Sequence, residues 1–210
     1  MGKGDHAVHE GQAKICLEKT RDKHDEIVVQ EKLDGSCVAV ALQGGALIPL
    51  GRAGYPANTS PYEQHQLFAQ WVWGNEERFM RVLREGERIV GEWLAQAHGT
   101  MYDMDGLEPF AVFDIMTGSK RLAYRELNDR IGELFEQPYT LHVGGPLSVE
   151  KAMMLHHKAH WPCDEIEGVV YRVHRRGEVD FLAKYVRPNK VDGKYLPGIS
   201  GKPPVWNWRP

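Results

Sequence analysis

The chain has few cysteines, no long apolar run and no large net charge, and each shortage excludes a class of protein. Its three cysteines, Cys16, Cys37 and Cys163, lie far apart and show none of the paired spacings of zinc sites or redox motifs. No stretch approaches the roughly 20 apolar residues of a membrane span, and the first residues lack the apolar core of a signal peptide. We therefore expect a soluble, cytoplasmic protein without a membrane partner.

The formal net charge of -3 over 210 residues gives no general attraction to nucleic acid, so any such contact has to come from a local basic patch. Apolar residues make up 42% and charged residues 26%, which is a globular composition. The polar residues 1–26 predict a mobile lead-in, and the proline-, glycine- and lysine-rich residues 188–210 predict a surface tail. One folded domain, residues 27–187, remains between them.

Runs rich in β-branched residues alternate with helical patterns along this domain. The predicted strands are residues 27–29, 37–42, 88–94, 109–115, 165–173 and 179–186, the last two forming a hairpin. The predicted helices are one that begins near Ser60-Pro61 and others at residues 76–83, 124–135 and 148–160. The hydrophobic residues of the first helix fall on one face, which indicates a helix packed on a sheet.

The short polar turn Glu31-Lys32-Leu33-Asp34-Gly35-Ser36 joins the first two predicted strands. A lysine at this point is aimed by a rigid sheet, which makes Lys32 a candidate nucleophile. The alternative is an ordinary hairpin tip with a solvated lysine, because Asp-Gly between apolar runs is a common hairpin signal.

Three carboxylates, Glu92, Asp114 and Glu167, interrupt apolar strands. A buried carboxylate is unfavourable unless it is paired, hydrogen-bonded or bound to a metal. For Asp114 we favour a structural partner such as an arginine. By contrast, a histidine cluster at His156, His157 and His160, followed by Cys163, offers no evident closing carboxylate, and we interpret it as an exposed helix face rather than a zinc site.

Six motifs occur in one order along the chain. They are Lys32-Leu33-Asp34-Gly35, Arg52-Ala53-Gly54, Gly91-Glu92-Trp93, Phe110-Ala111-Val112-Phe113-Asp114, Glu167-Gly168-Val169-Val170 and Ala183-Lys184-Tyr185-Val186. This series resembles the covalent nucleotidyltransferase superfamily, most closely the RNA ligase 2-like branch of ATP-dependent RNA ligases, over about residues 27–187. The resemblance implies an α+β fold with antiparallel sheets flanked by helices. It is the ATP-grasp-like nucleotidyltransferase domain of polynucleotide ligases, with ATP between the sheets.

The resemblance also implies roles for single residues. Lys32 would attack the α-phosphate of ATP, which requires the amine to lose its proton although a free lysine has a pKa of about 10.4. Arg52 would contact the nucleotide, Glu92 a ribose hydroxyl and Phe113 the adenine face. Lys184 would neutralise the α-phosphate as pyrophosphate leaves. The implied nucleotide-binding set is Glu31, Lys32, Asp34, Gly35, Arg52, Glu92, Phe113, Glu167 and Lys184, with Glu167 also the ligand of Mg²⁺ or Mn²⁺.

The sequence departs from the family pattern in two places. The last motif usually has two lysines, but Leu182 and Val186 flank Lys184, and Arg187 is a candidate substitute. Residues 188–210 are too few for the further C-terminal domain that such ligases carry, so we expect a catalytic domain alone, with a partner protein as a possible replacement. A basic strip of Arg172, Arg175, Arg176, Lys190 and Lys194 is a candidate phosphate-backbone contact.

The expected activity is ATP-dependent ligation of RNA ends through a covalent lysyl-AMP intermediate, with AMP passed to a 5′-phosphate and the end sealed to a 3′-hydroxyl. Nucleic acid ends are the expected partners: RNA is favoured, and a nicked duplex is a second candidate substrate. Two alternatives stay open. One is a DNA ligase-like adenylyltransferase, and the other is a non-catalytic nucleotide-binding module.

Overall fold

The structure, a computed structural model, describes residues 7–156 and 161–210. In chain order the elements are α1 (Glu10–Leu17), β1 (Asp25–Lys32), β2 (Ser36–Gln43), β3 (Ala46–Gly51), a 3₁₀ helix (Ala57–Thr59), α2 (Glu63–Gly74), α3 (Glu76–Val82), β4 (Glu87–Trp93), β5 (Phe110–Thr117), β6 (Lys120–Arg121), α4 (Tyr124–Ile131), β7 (Thr140–Gly144), α5 (Val149–Leu155), β8 (Gly168–Arg175), β9 (Glu178–Val186) and α6 (Pro197–Ser200). Within the described ranges, none of these helices has the length and apolar character needed to cross a membrane.

Two antiparallel sheets form the framework. The first has the strand order β7-β1-β8-β9 and the second the order β3-β2-β4-β5-β6. The interpretation of residues 27–42 as a hairpin is therefore wrong, because β1 and β2 pair with different neighbours in different sheets. The polar turn after Lys32 instead carries the chain from one sheet to the other.

The hairpin predicted near the end of the domain is confirmed, since β8 pairs with β9 along its whole length. Arg176 and Gly177 form its two-residue turn, both with positive φ (54° and 84°). Such a turn matches the right-handed twist of paired strands, and this explains why a glycine occupies its second position. The short strand β7 was not predicted.

Each sheet buries one face against helices. In the five-stranded sheet this face includes Val40, Ile89 and Phe110, and it packs on Phe68 and Val72 of α2 as predicted for that helix. In the four-stranded sheet the buried face includes Ile27, Val29 and Val173, which lie in one core with Ala152 of α5 and with Ile15 and Cys16 of α1. Residues 10–17 thus form a helix with a buried side, where the sequence suggested only a lead-in.

The C-terminal segment is part of the fold rather than a surface tail. Asn207 and Trp208 donate their backbone amides to Ala95 O, at 2.8 and 3.1 Å. Trp206 and Trp208 pack against the core of the five-stranded sheet, and the Trp208 ring lies 5.9 Å from that of Trp93. Their bulk, not the proline and glycine content around them, decides where this segment lies.

A bulge in β5 determines what faces the other sheet. Val90 pairs with Asp114 and Gly91 with Val112, so that Phe113 has no partner in the register. Val112 and Ile115 lie in the core, and the extra residue turns the two side chains between them, Phe113 and Asp114, toward the opposite face. Regular alternation would have placed Asp114 in the core beside Val112.

Candidate active site

Lys32 is the last residue of β1 and lies at the point where the chain leaves the four-stranded sheet. Its Nζ is 2.7 Å from Glu167 Oε2 and 3.4 Å from Leu33 O. The Lys32 side chain is 20% exposed and that of Glu167 is 5% exposed. The nearby Gly168 pairs with Lys32, and a Cβ on it would lie 1.9 Å from Tyr185 O, so a glycine is required next to Glu167.

A second lysine, not assigned to the site by the sequence, completes this cluster. Lys190 Nζ hydrogen-bonds Glu167 Oε1 and lies 3.0 Å from Asp34 Oδ1, and its side chain is only 4% exposed. Burial alone would lower the pKa of Lys190, but the hydrogen bond to Glu167 and the charge of Asp34 outweigh burial and raise the pKa above its usual range. The Glu167 carboxylate thus bridges two ammonium groups.

The turn after Lys32 is held by two hydrogen bonds with the loop between β4 and β5. Asp34 Oδ2 accepts from the Gly99 amide at 2.8 Å, and the Asp34 amide donates to Tyr102 Oη at 2.9 Å. A Cβ on Gly35 would lie 2.4 Å from Trp93 O, so this glycine allows the turn to press against the end of β4. The motif sequence therefore fits a rigid sheet-to-sheet connection.

Glu92 lies beside the same turn. Its Oε1 accepts from the Gly35 amide at 2.9 Å, and its other oxygen has no hydrogen-bond donor among the described residues. Burial raises the pKa of Glu92 to about 7, against the opposing effect of the Lys32 charge. A half-buried carboxylate with one unused oxygen is chemically suited to accept a hydroxyl group.

Phe113 and Asp114 differ in surroundings although the bulge turns both to the same face. Phe113 is half-buried and belongs to none of the hydrophobic cores formed by the described residues. Asp114 is buried and pairs with Arg172 Nη1 at 2.7 Å and Arg121 Nε at 2.9 Å, which confirms the expected arginine partner. Arg172 belongs to β8, so this ion pair joins the two sheets.

Lys184 lies on the four-stranded sheet, and Arg52 lies just after a strand of the five-stranded sheet. Lys184 pairs with Val170, which in turn pairs with Gln30 of β1, so that Lys184 and Lys32 share one face of the four-stranded sheet. Its side chain is exposed. Arg52 follows β3, is exposed, and makes no hydrogen bond or ion pair with the described residues. Arg52 is therefore available to an anionic ligand between the sheets.

Glu31 is not brought to the Lys32 cluster. It lies on the same side of β1 as Ile27 and Val29, and its Oε1 accepts from the Tyr139 amide at 2.7 Å. Burial raises the pKa of Glu31 to about 8. Tyr139 lines a cavity of about 530 Å³ beside α4, and that cavity contains none of the predicted site residues. Because successive side chains of a strand point to opposite faces of the sheet, the neighbours Glu31 and Lys32 lie on different faces.

The basic strip suggested by the sequence does not form a continuous surface. Arg172 is 2% exposed, Lys190 is buried at Glu167, and Arg175 pairs with Asp22 and Asp25. Lys194 pairs with Asp164 and Glu165, each at 2.9 Å. Arg187 does not reach the site either, because its guanidinium bonds Ile166 O at 2.7 Å and Glu165. Four of the five residues of the strip are thus buried or paired, and Arg176 is exposed.

Of the histidine cluster, His157 and His160 lie outside the described residues. His156 is buried and its Nε2 lies 3.1 Å from Gly168 O, and Cys163 is half-buried with a free thiol. Within residues 7–156 and 161–210, no three His, Cys, Asp or Glu side chains are grouped closely enough to hold a metal ion by themselves.

The order and placement of the motifs agree with sequence comparison. The family model described as RNA ligase matches residues 25–186, which include Lys32, Glu167 and Lys184. The chain belongs to the RNA ligase family. Membership confirms the resemblance drawn from the six motifs, whereas no curated protein matches the chain.

Solved structures support the fold. A Naegleria gruberi RNA ligase variant with ATP and Mn has a TM-score of 0.54 and 16% identity, covering 79% of this chain and 51% of its own. An archaeal ATP-dependent RNA ligase has a TM-score of 0.50 and 20% identity, covering 77% of this chain and 42% of its own. At such identities the likeness concerns the fold, and it confirms the predicted α+β class. The chain spans about half the length of these ligases.

Proposed function

We propose that this chain is an ATP-dependent RNA ligase that adenylates its own Lys32. The observation that carries the proposal is the 2.7 Å contact between Lys32 Nζ and Glu167 Oε2 at the junction of the two sheets. A lysine fixed in this way by a second motif residue can be held in line with a phosphorus atom. In the proposed first step, the Lys32 nitrogen forms a bond to the α-phosphorus of ATP, the α–β phosphoanhydride bond breaks, and pyrophosphate leaves.

The remaining motif residues would bind the nucleotide around this nitrogen. The Phe113 ring is not packed in any of the hydrophobic cores of the described residues, and it is suited to stack on a purine face. Glu92 offers the unused carboxylate oxygen for a ribose hydroxyl. Lys184 and Arg52 supply positive charge for the phosphates, where stabilisation of developing charge accounts for most of the catalysis of phosphoryl transfer.

Glu167 is the residue that would hold a divalent ion, together with phosphate oxygens of the substrate. Glu167 supplies a hard carboxylate ligand, and magnesium commonly binds through one or two carboxylates together with phosphates and water. A Mg²⁺ or Mn²⁺ ion bound there would neutralise negative charge on the phosphates. Glu167 would then exchange at least part of its contact with Lys32 or Lys190 for the ion.

In the later steps AMP would pass from Lys32 to a 5′-phosphate, with the N–P bond broken, and a 3′-hydroxyl would then displace AMP and seal the RNA. Nucleic acid ends follow from family membership as the substrate class. A nicked duplex and a partner protein that helps to bind it belong to this proposal as narrower possibilities.

Labelling with ATP that carries ³²P in the α-phosphate, followed by a denaturing gel, tests the covalent step. We expect label on the wild-type chain in the presence of Mg²⁺, none on Lys32→Ala, and wild-type labelling of Lys23→Ala, an exposed lysine outside the site. Equal labelling of Lys32→Ala, or no label on the wild type, contradicts the covalent mechanism and favours a nucleotide-binding module.

A chase of the labelled protein tests the acceptor. The isolated adenylated chain is offered 5′-phosphorylated single-stranded RNA, a nicked duplex with an RNA 3′-hydroxyl strand, and a nicked DNA duplex. Transfer of label to an RNA-containing substrate supports the proposal. Transfer to DNA alone would instead identify a DNA ligase-like enzyme.

A further inference from the structure

Lys190 has an unusual position for a residue of a C-terminal segment. It follows β9 in the turn where its backbone amide donates to Arg187 O, and its side chain runs back under the Lys32 turn. There its ammonium group contacts Glu167 and Asp34, the same two motif carboxylates that adjoin Lys32. It also lies 3.4 Å from the exposed Asp192.

The space for this side chain is built by another segment. A Cβ on Gly99 would lie 3.0 Å from Lys190 Cε, 2.8 Å from Val191 O and 2.7 Å from Asp34 Oδ2. The Tyr195 amide donates to His98 O at 2.8 Å and so fixes the segment that carries Lys190 along residues 98–99. Lys190 is therefore placed by the fold rather than resting on its surface.

We propose that Lys190 is a positioning residue for the nucleophile and acts through Glu167. The last motif lacks a second lysine, because Leu182 and Val186 stand on either side of Lys184. The ammonium group of Lys190, which follows this motif in the chain, supplies a second positive charge. Since Lys190 is only 4% exposed, it serves the reaction without touching the nucleotide. The role of Lys190 rests on the lysyl-AMP chemistry proposed above.

The physical reason lies in the charges of the cluster. Glu167 and Asp34 are both buried, and two buried carboxylates held close together repel each other unless a cation lies between them. Lys190 contacts one oxygen of each. With Glu167 Oε1 bound to Lys190, Oε2 is left to face Lys32 Nζ at 2.7 Å. Without Lys190, Glu167 loses the contact that sets its orientation.

Lys190→Met, which keeps the length of the side chain and removes its charge, is the variant of choice. Because misplacement of a reacting group by about 1 Å can lower a rate by about 100-fold, we expect lysyl-AMP formation at saturating ATP to slow by about 10- to 100-fold. The half-saturating ATP concentration should change by less than about 3-fold, since Lys190 contacts no nucleotide. Lys194→Met is the matched control, because Lys194 also pairs with two carboxylates, outside the site.

A double variant separates positioning from a general structural effect. If Lys190 acts through Glu167, Lys190→Met should slow a Glu167→Gln background by less than about 3-fold, because coupled residues are not additive. The same loss in both backgrounds, an unchanged rate in Lys190→Met, or a loss confined to ATP affinity would overturn the proposal. If Lys190→Met has no cooperative melting transition, the same measurements are made on Lys190→Gln. Its side-chain amide can still donate a hydrogen bond to Glu167. Absence of labelling in the wild type would contradict the ligase chemistry instead.

Discussion

Asp114 and Glu167 are buried carboxylates that are each bonded to two cations, but the cations differ. Asp114 pairs with Arg172 and Arg121, and Arg172 also donates to Phe113 O at 2.8 Å. Arg172 joins β8 to β5 and so connects the two sheets. Because a guanidinium group keeps its charge and presents several fixed donors, this arrangement suits a permanent link.

Glu167 is held instead by two lysines, Lys32 and Lys190. An ammonium group is a single point charge on a flexible stem, and a lysine can lose its proton and become a nucleophile. Lys32 is also 20% exposed, whereas Arg172 is 2% exposed. The same electrostatic pattern thus forms a structural link in one place and the proposed reactive site in the other.

The largest expected effect comes from breaking the arginine cluster. Arg172→Met leaves the buried Asp114 with Arg121 alone, and removal of one partner of a buried ion pair lowers the free energy of unfolding by about 3–5 kcal/mol. Urea denaturation followed by tryptophan fluorescence measures the change. A loss below about 1 kcal/mol would mean that the inter-sheet ion pair contributes no more than a surface pair.

Breaking the lysine cluster should affect chemistry more than stability. Glu167→Gln removes the charge that orients Lys32 Nζ, and we expect lysyl-AMP formation to fall about 100-fold, equivalent to about 2.7 kcal/mol in the activation free energy. The free energy of unfolding should decrease less than in Arg172→Met, because lysines adapt to burial by releasing a proton. The contrast between the arginine and lysine clusters is wrong if Glu167→Gln is less stable than Arg172→Met, or if Glu167→Gln forms lysyl-AMP at the wild-type rate.

Local patterns in the sequence predicted the parts of the fold that depend on local chemistry. The hairpin around Arg176 and Gly177 follows from turn residues between two apolar runs, and the arginine partner of Asp114 follows from the cost of a buried charge. The motif residues Lys32 and Glu167 were predicted from the resemblance, and the structure places them 2.7 Å apart.

The sequence did not predict features that arise from contacts distant along the chain. Nothing in the run after Lys32 shows that β2 joins another sheet, because strand pairing is decided by partners such as β4. Lys190 follows proline and asparagine in a polar segment, and only the space at Gly99 shows where it points. Glu31 was grouped with Lys32 by adjacency, although strand alternation turns it to the other face.

Glu31 therefore supplies a third test, on a carboxylate that forms no ion pair with the described residues. Its pKa is about 8 in the folded protein against an ordinary value of 4.5, so between these pH values the folded state keeps a proton that the unfolded chain releases. The free energy of unfolding should accordingly decrease as pH rises from 5 to 8.

Glu31→Gln should remove this pH dependence and can keep the hydrogen bond from the Tyr139 amide. Each pKa unit corresponds to about 1.4 kcal/mol, so we expect the variant to melt at least about 3–6 °C above the wild type at pH 8 and close to it at pH 5. Lysyl-AMP formation should be unchanged, because Glu31 lies away from Lys32. A loss of labelling in Glu31→Gln would mean that Glu31 belongs to the nucleotide site after all.

The smallest effect is expected at a second ion pair between the sheets. Lys120 of β6 and Glu178 of β9 lie 2.7 Å apart, with side chains 73% and 71% exposed. They join the same two sheets as Arg172 and Asp114, so that the main difference is burial. Water and salt screen exposed charges, and Lys120→Met should leave both the denaturation midpoint and lysyl-AMP formation unchanged within error. If Lys120→Met instead destabilised the protein as much as Arg172→Met, connection of the sheets, rather than burial of the charges, would explain the effect of the arginine cluster.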